Sequence, residues 1–216
     1  MSQDQGMQER RAFWELYYAG QIEGDNVLVE QPSPFALEVS LKLRKGSKLL
    51  DFGCGNGRDS GFFAAQGFTV IAMDICRKAV ELTASKLPAG SQAIVADGSN
   101  LPDILVDYAF ARFVLHALTE SEQDVVFRWM RRHVRGKVYI ETRSINDPRY
   151  GRGKLVGRNA YIDTHFRRFI SVQDLVSAAS RSGYKVDDVV ETHSGSGTDG
   201  ARVLRATLSP DLDAAV

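Results

Sequence analysis

Between residues 46 and 142 the apolar positions fall into two alternating patterns. Residues 48–52, 68–74, 93–97, 107–113 and 137–142 are short apolar or β-branched runs with the length of buried strands. Helically spaced stretches lie between them: residues 59–66, closed by Gly67, and residues 78–86, stopped by Pro88 and Gly90. A third covers residues 120–134, with Val125, Val126, Trp129 and Met130 at helical spacing. Such alternation predicts parallel strands joined by crossover helices that cover both faces of a sheet. Upstream, Phe13, Trp14, Leu16, Tyr17 and Tyr18 crowd into a helix broken by Gly20 and Gly24. Ser33-Pro34 then opens a second helix through residues 35–43, a capping hydroxyl followed by a first-turn proline. Downstream, a Gly- and Arg-rich stretch at residues 143–168 interrupts the rhythm. A helix at 172–180 follows, then strands at 185–192 and 201–208, whose short connection at 194–200 makes them antiparallel neighbours. The expected fold class is α/β, a seven-stranded, mostly parallel sheet ending in an antiparallel hairpin. Three regions are expected: a helical lid at 1–45, a ligand-binding domain at 46–209 with an insertion at about 143–168, and a short tail at 210–216.

Composition narrows the function. The chain has 216 residues, 44% of them hydrophobic, enough for one domain that buries roughly 70–75% of its unfolded surface. Lys and Arg total 27 and so do Asp and Glu, which argues against a protein that coats nucleic acid or lies on a membrane surface. No run approaches the ~18 apolar residues of a membrane helix, and the polar start MSQDQGMQERR has no apolar signal core. A cytoplasmic location is therefore expected. Cys54 and Cys76 make neither a disulfide framework nor a metal cluster.

The most informative segment is KLLDFGCGNGRDS, residues 48–60. Gly53, Gly55 and Gly57 leave a strand and open a helix, where a missing Cβ permits a tight turn and close approach of a ligand. A dinucleotide site wants G-x-G-x-x-G/A; counted from Gly53 the third position is Arg58, and counted from Gly55 it is Ser60, a partial match only. The string D-x-G-x-G-x-G instead resembles the first motif of class I S-adenosylmethionine-dependent methyltransferases. Asp74, at the end of the second strand, and Asp97-Gly98, at the end of the third, stand where that family places its acidic cofactor contacts.

The resemblance implies a Rossmann-like methyltransferase fold and S-adenosylmethionine as cofactor, with S-adenosylhomocysteine as product. It also implies cofactor contacts from Asp51, Gly53, Cys54, Gly55, Gly57, Asp74, Ile75, Asp97, Gly98 and Arg112. Residues 112–116 follow the fourth strand, at the level of the transferred methyl. The family's Asn/Asp-Pro-Pro-aromatic element of base methylation is missing, since the chain reads Phe110-Ala111-Arg112-Phe113. The fifth strand carries Glu141 without a paired Asp or Asn, so no metal is expected. His116 is a candidate general base, and equally a packing or capping histidine.

Residues 141–170 hold seven basic side chains against three acidic ones, an excess of four in a chain of zero net charge. The segment begins at the carboxyl end of a strand, the edge where open α/β sheets place ligands. Guanidinium forks there suit a carboxylate, phosphate or phosphonate. Arg143 and Arg168 are the first candidates, then Arg149 and Arg167, with Tyr17 or Tyr18 adding a hydrogen bond from the lid. The expected partner is a small anionic metabolite, not nucleic acid or membrane. The layout looks like a small bacterial natural-product methyltransferase, which makes O-methylation in antibiotic biosynthesis the expected setting. A neutral hydroxyl or amine acceptor using His116, a non-catalytic cofactor-binding regulator and a solvated basic loop stay open, as does oligomeric state, a homodimer being one option.

Overall fold

A computed structural model describes residues 3–21, 29–195 and 200–213. Gly24, most of the loop between the last two strands (196–199) and the tail's final residues (214–216) lie outside these, so the roles expected there are left aside. The chain begins with helix α1 (Gln3–Tyr18) and short helix α2 (Pro34–Ser40), whose N-cap Ser33 accepts from the N–H of Ala36. Then come β1 (Lys48–Phe52), α3 (Arg58–Ala65), β2 (Thr69–Asp74), α4 (Arg77–Ala84), β3 (Gln92–Val95) and β4 (Tyr108–Arg112). A 3₁₀ turn (Leu115–Ala117) leads into α5 (Glu120–His133) and β5 (Val138–Arg143). Thr119 and Glu122 form a reciprocal capping box at the start of α5.

The main sheet has the order β3-β2-β1-β4-β5-β10-β9, in which the first five strands are parallel. Strands β9 (Tyr184–His193) and β10 (Arg202–Pro210) pair antiparallel, and β10 slots between β9 and β5. Helix α6 (Val172–Arg181) precedes them. Side chains alternate across the sheet with the period of two that a strand imposes. Leu49, Val70, Ala72 and Phe110 meet Phe35, Val39 and Phe63 of α2 and α3 on one face. Leu50, Ile71, Met73, Ala109 and Ala111 meet Val126, Met130 and Leu175 of α5 and α6 on the other.

The basic insertion differs from the irregular stretch expected. It folds into its own antiparallel sheet of β6 (Lys154–Gly157), β7 (Ala160–Ile162) and β8 (Phe166–Arg168). Tyr150, Tyr161 and Phe169 stack edge to face behind it, and Phe169 N–H donates to Asn159 O at 2.8 Å. This aromatic support holds strands too short to alternate clearly in sequence. No helix among the described residues is long and apolar enough to cross a membrane.

Candidate active site

The chain leaves β1 through Gly53-Cys54-Gly55-Asn56-Gly57, and the three glycines take φ of 76°, 56° and 77°. A Cβ on Gly53 would lie 2.0 Å from Val114 Cγ2, and one on Gly55 would lie 2.5 Å from Tyr18 Oη. The first atom that a Gly55 side chain would meet therefore belongs to α1. The loop hangs on β2: the N–H groups of Gly53 and Cys54 donate to Met73 O at 2.7 and 2.9 Å. Asp74 Oδ2 accepts from Gly55 N–H at 3.0 Å and Oδ1 from Cys76 N–H at 2.9 Å. Burial raises the pKa of Asp74 against the stabilising pull of those N–H groups.

In front of the loop is a cleft of roughly 880 Å³ of empty space, part of it open to solvent. Its floor and walls include Gly53, Asp74, Ile75, Asp97, Gly98, Val126 and Leu118, a mostly apolar lining with carboxylates at the strand ends. Helix α1 crosses it with Met7, Arg10, Trp14 and Tyr18. Arg10 pairs with Glu122 at the start of α5, and its guanidinium lies over the Phe166 ring at 5.3 Å. Glu15 accepts from the N–H groups of Arg77 and Lys78 at 2.7 and 3.1 Å, binding α1 to the start of α4. Sequence reasoning missed Arg10 and Glu122; the Thr119-x-x-Glu122 capping signature was the available signal.

Phe113 forms the cleft's far wall. Its φ of +53° is uncommon for a bulky residue, and its N–H donates to Glu141 O at 2.8 Å. Beyond its ring is a basic cluster. The Arg112 and Arg143 guanidiniums lie 4.5 and 5.3 Å from the ring centroid, and His116 meets it edge-on at 5.5 Å. Arg143 donates to Asp147 at 2.7 Å, Arg167 pairs with Asp163, and Arg149 lies 3.9 Å from the same Asp163. Burial opposes charge on Asp163, but the N–H of Thr164 and the Arg167 guanidinium hold its pKa below the ordinary carboxylate value. His116 is buried and its Nδ1 has no hydrogen-bond partner. Burial, then Arg143, His165 and Arg167, keeps its pKa well below the usual imidazole range. His165, packed at 4.3 Å from Phe13 and 5.2 Å from Trp14, is pushed down to about 3 by burial and Arg167.

Several expected contacts lie elsewhere. Asp51 is buried beneath the loop, where the Ser60 hydroxyl donates to it and burial raises its pKa to about 7. Cys54 Sγ accepts from Thr83 Oγ1 at 3.4 Å, also under the loop. Arg112 is turned toward the fully buried Glu141, which Arg205 reaches from β10; the two Nε–carboxylate distances are 2.9 and 2.8 Å. Arg168 points away from Arg167, because neighbours in a strand face opposite ways. It donates to Leu118 O at 2.9 Å, to Leu115 O at 3.4 Å and to Gln123, pinning the 3₁₀ turn. Tyr17 packs edge-on against Trp14 and Tyr18 within α1. Among the described residues no group of three or more His, Cys, Asp or Glu side chains is placed to hold a metal ion.

Residues 28–189 match the family model described as a methyltransferase domain. The chain belongs to this family. As a member it is an S-adenosylmethionine-dependent methyltransferase with the class I, Rossmann-like fold. A search of curated protein sequences gave no match. Similar solved structures include an S-adenosylmethionine-dependent methyltransferase from Methanosarcina mazei, at TM-score 0.72 and 17% identity over 85% of this chain and 100% of that one. Another is the 1,6-didemethyltoxoflavin N1-methyltransferase of Burkholderia thailandensis, solved with its acceptor and S-adenosylhomocysteine, at TM-score 0.73 and 17% identity over 96% and 89%. A third is the magnesium protoporphyrin IX methyltransferase of Synechocystis with bound S-adenosylmethionine, at 0.60 and 16% over 82% and 76%. For this methyltransferase the glycine loop and the cleft before it are the place to seek the cofactor.

Proposed function

We propose that this methyltransferase transfers a methyl group to an oxygen of a small anionic metabolite, a phosphonate before a carboxylate. One observation carries the reading: Arg143, Arg149, Arg167 and the buried His116 converge just across Phe113 from the cleft. The cofactor's apolar base fits between Ile75, Val126 and Leu118, near Asp97 and Gly98, with Asp74 taking the ribose hydroxyls and Gly53, Gly55 and Gly57 leaving room for the rest. When bound, the cofactor supplies an electrophilic methyl on a sulfonium. Arg143 and Arg167 hold and orient the acceptor, while α1, part of the lid that takes residues 1–45 in the proposed division of the chain, shuts out water. An acceptor already ionised at neutral pH needs no strong base. Arg112 steadies Phe113 from behind, and Arg168 fixes the turn that carries His116.

The layout of lid, RFVLHALTE, ETRSIND with its basic insertion and HFRRFI resembles the phosphonate O-methyltransferase of the dehydrophos pathway, and natural-product biosynthesis in the cytoplasm is the proposed setting. A second reading, a hydroxyl or amine acceptor with His116 as base, draws support from the neutral, unpartnered imidazole. Incubation with labelled S-adenosylmethionine and a panel of phosphonates, carboxylates and neutral alcohols or amines decides between them. Label in phosphonate or carboxylate esters supports the first. Label confined to uncharged acceptors refutes it.

A further inference from the structure

Resting on the proposed placement of the cofactor in the cleft, we infer that Arg10 and Glu122 latch helix α1 over it and set how fast cofactor and product pass. Met7, Arg10, Trp14 and Tyr18 recur at the spacing of one helix face, and all four line the cleft. That face spans the cleft from the start of α5 to the glycine loop. At the loop end, Tyr18 Oη lies so near Gly55 that a Cβ there would stand 2.5 Å from it. At the other end the Arg10 guanidinium pairs with Glu122. Seated beneath this face, a molecule the size of S-adenosylmethionine leaves by displacing the helix.

What holds α1 decides how often it lifts. Residues 6–18 are all half-buried or exposed, and none joins either apolar core. An element with so little buried apolar surface opens at low cost, well before the sheet beneath it. Its attachments are polar or aromatic. Glu15 accepts from the N–H groups of Arg77 and Lys78, and Phe13 and Trp14 pack on His165. Arg10 serves twice, with Glu122 on α5 and over the Phe166 ring on β8. The Arg10 and Glu122 side chains are only 13% and 23% exposed, so salt and water weaken this pair less than an open surface pair. Glu122 is also held in place for it: Oε2 accepts from the N–H and hydroxyl of Thr119 at 2.8 and 2.9 Å, and Oε1 takes Arg10. Both groups of the latch belong to the protein, so the pair forms with or without the cofactor and slows entry as well as exit. A residue that only touches the cofactor behaves differently, since its loss speeds exit alone.

The test measures two rates. Stopped-flow mixing with S-adenosylhomocysteine, followed by tryptophan fluorescence, gives association and dissociation separately. In Arg10→Ala both should rise by ~3- to 30-fold, while Kd changes far less than either rate. Arg10→Lys keeps the charge and should fall between the parent and Ala. Glu122→Gln keeps an acceptor for Thr119 but loses the charge, and should repeat the Arg10→Ala result. Far-ultraviolet circular dichroism checks that each variant is folded; the Lys and Gln variants carry the test if Ala is not. Raising salt from about 0.05 M to about 0.5 M should speed both rates in the parent and leave Arg10→Ala nearly unchanged. A rise in dissociation alone makes Arg10 a cofactor contact, and unchanged rates leave α1 without this latch; either result overturns the inference. Asp74→Ala tests the placement itself: if S-adenosylhomocysteine binds that variant as it binds the parent, the cofactor lies elsewhere, and the placement fails and takes the latch with it.

Discussion

Phe113 separates two regions of this methyltransferase that are built from different materials. On the proposed cofactor side the shape is made largely by backbone: positive-φ glycines, N–H groups of Gly53 and Cys54 on Met73 O, and the single α4 start that Cys76 and Glu15 both cap. On the proposed acceptor side the shape is made by long charged side chains on β5, the 3₁₀ turn and a small sheet of three- and four-residue strands. Backbone geometry tolerates almost no substitution, because a single Cβ collides. Side-chain geometry can be retuned one residue at a time, so a conserved cofactor chemistry can be joined to a variable acceptor. The difference therefore makes separable predictions.

The largest effect should come from the residue that belongs to both regions. Glu141 is fully buried between the part-buried Arg112 and Arg205, and Glu141→Ala removes the carboxylate the two guanidiniums share, although Arg205 keeps Glu38 and Ser194 O. A loss of about 2–4 kcal/mol is expected in denaturant unfolding, because removing the buried carboxylate takes a charge-assisted partner from two part-buried cations at once. A loss below about 1 kcal/mol would mean that the two regions are not held together there. Next comes Gly53→Ala, whose Cβ meets Val114 Cγ2 in a left-handed backbone position. Overpacking and backbone strain together should cost about 2–4 kcal/mol and abolish tight cofactor binding, read by unfolding and calorimetry.

Two single-residue changes should then pull the regions apart. Arg143→Ala should cut kcat/KM for an anionic acceptor by ~10- to 150-fold and leave cofactor affinity near its original value, with Lys a poor rescue. Asp74→Ala should do the reverse: weaker cofactor binding by about 1–3 kcal/mol, with acceptor selectivity retained. If both variants lose both ligands equally, the division at Phe113 is false.

The smallest expected effect is on the acid limb of stability. His165 titrates near 3 in the fold and near the ordinary 6.5 when unfolded, so below about 6.5 the unfolded chain binds more protons and stability falls with pH. Asp51, raised to about 7, acts oppositely: between its ordinary 3.8 and about 7 the folded chain binds more protons and stability falls as pH rises. Replacing His165 by Phe, which suits its Phe13 and Trp14 surroundings, removes only the first effect. The variant should lose less melting temperature than the parent between pH 7 and 5; an unchanged slope would show that His165 is accessible to protons in the fold.

The same contrast explains what could be read from the residues. The glycine loop is contiguous and uses residues chosen for backbone conformation, so its place after β1 and the acid at Asp74 are written in thirteen consecutive letters and one strand end. Strands β1, β2, β4 and β5 followed from apolar runs for the same reason, since burial on both faces leaves a strong local signal. The small sheet left none: Lys154–Gly157 is exposed throughout, and β7 and β8 are three residues each. Without the strand assignment, Arg168 is ranked ahead of Arg167, although adjacent strand residues face opposite ways and only Arg167 joins Asp163. Phe113 gave no warning either, because the groups around it, Arg112, Arg143 and the Glu141 carbonyl, are distant in sequence or unremarkable in type.

The position of β10 has a consequence for how the molecule is made. It is the last strand in chain order, yet it lies inside the sheet, between β5 and β9. As the polypeptide leaves the ribosome, β1 to β5 can assemble early, but the open edge of β5 must wait for residues 202–210. β9 arrives sooner and has nothing in the main sheet to pair with until its neighbour follows. Arg205 travels on that late strand, so during synthesis Glu141 has only one of its two cations. The edge of β5 that carries Glu141 is thus the last part of the main sheet to be paired, and a nascent chain stalled before residue 202 would carry a formed glycine loop beside an unfinished β5.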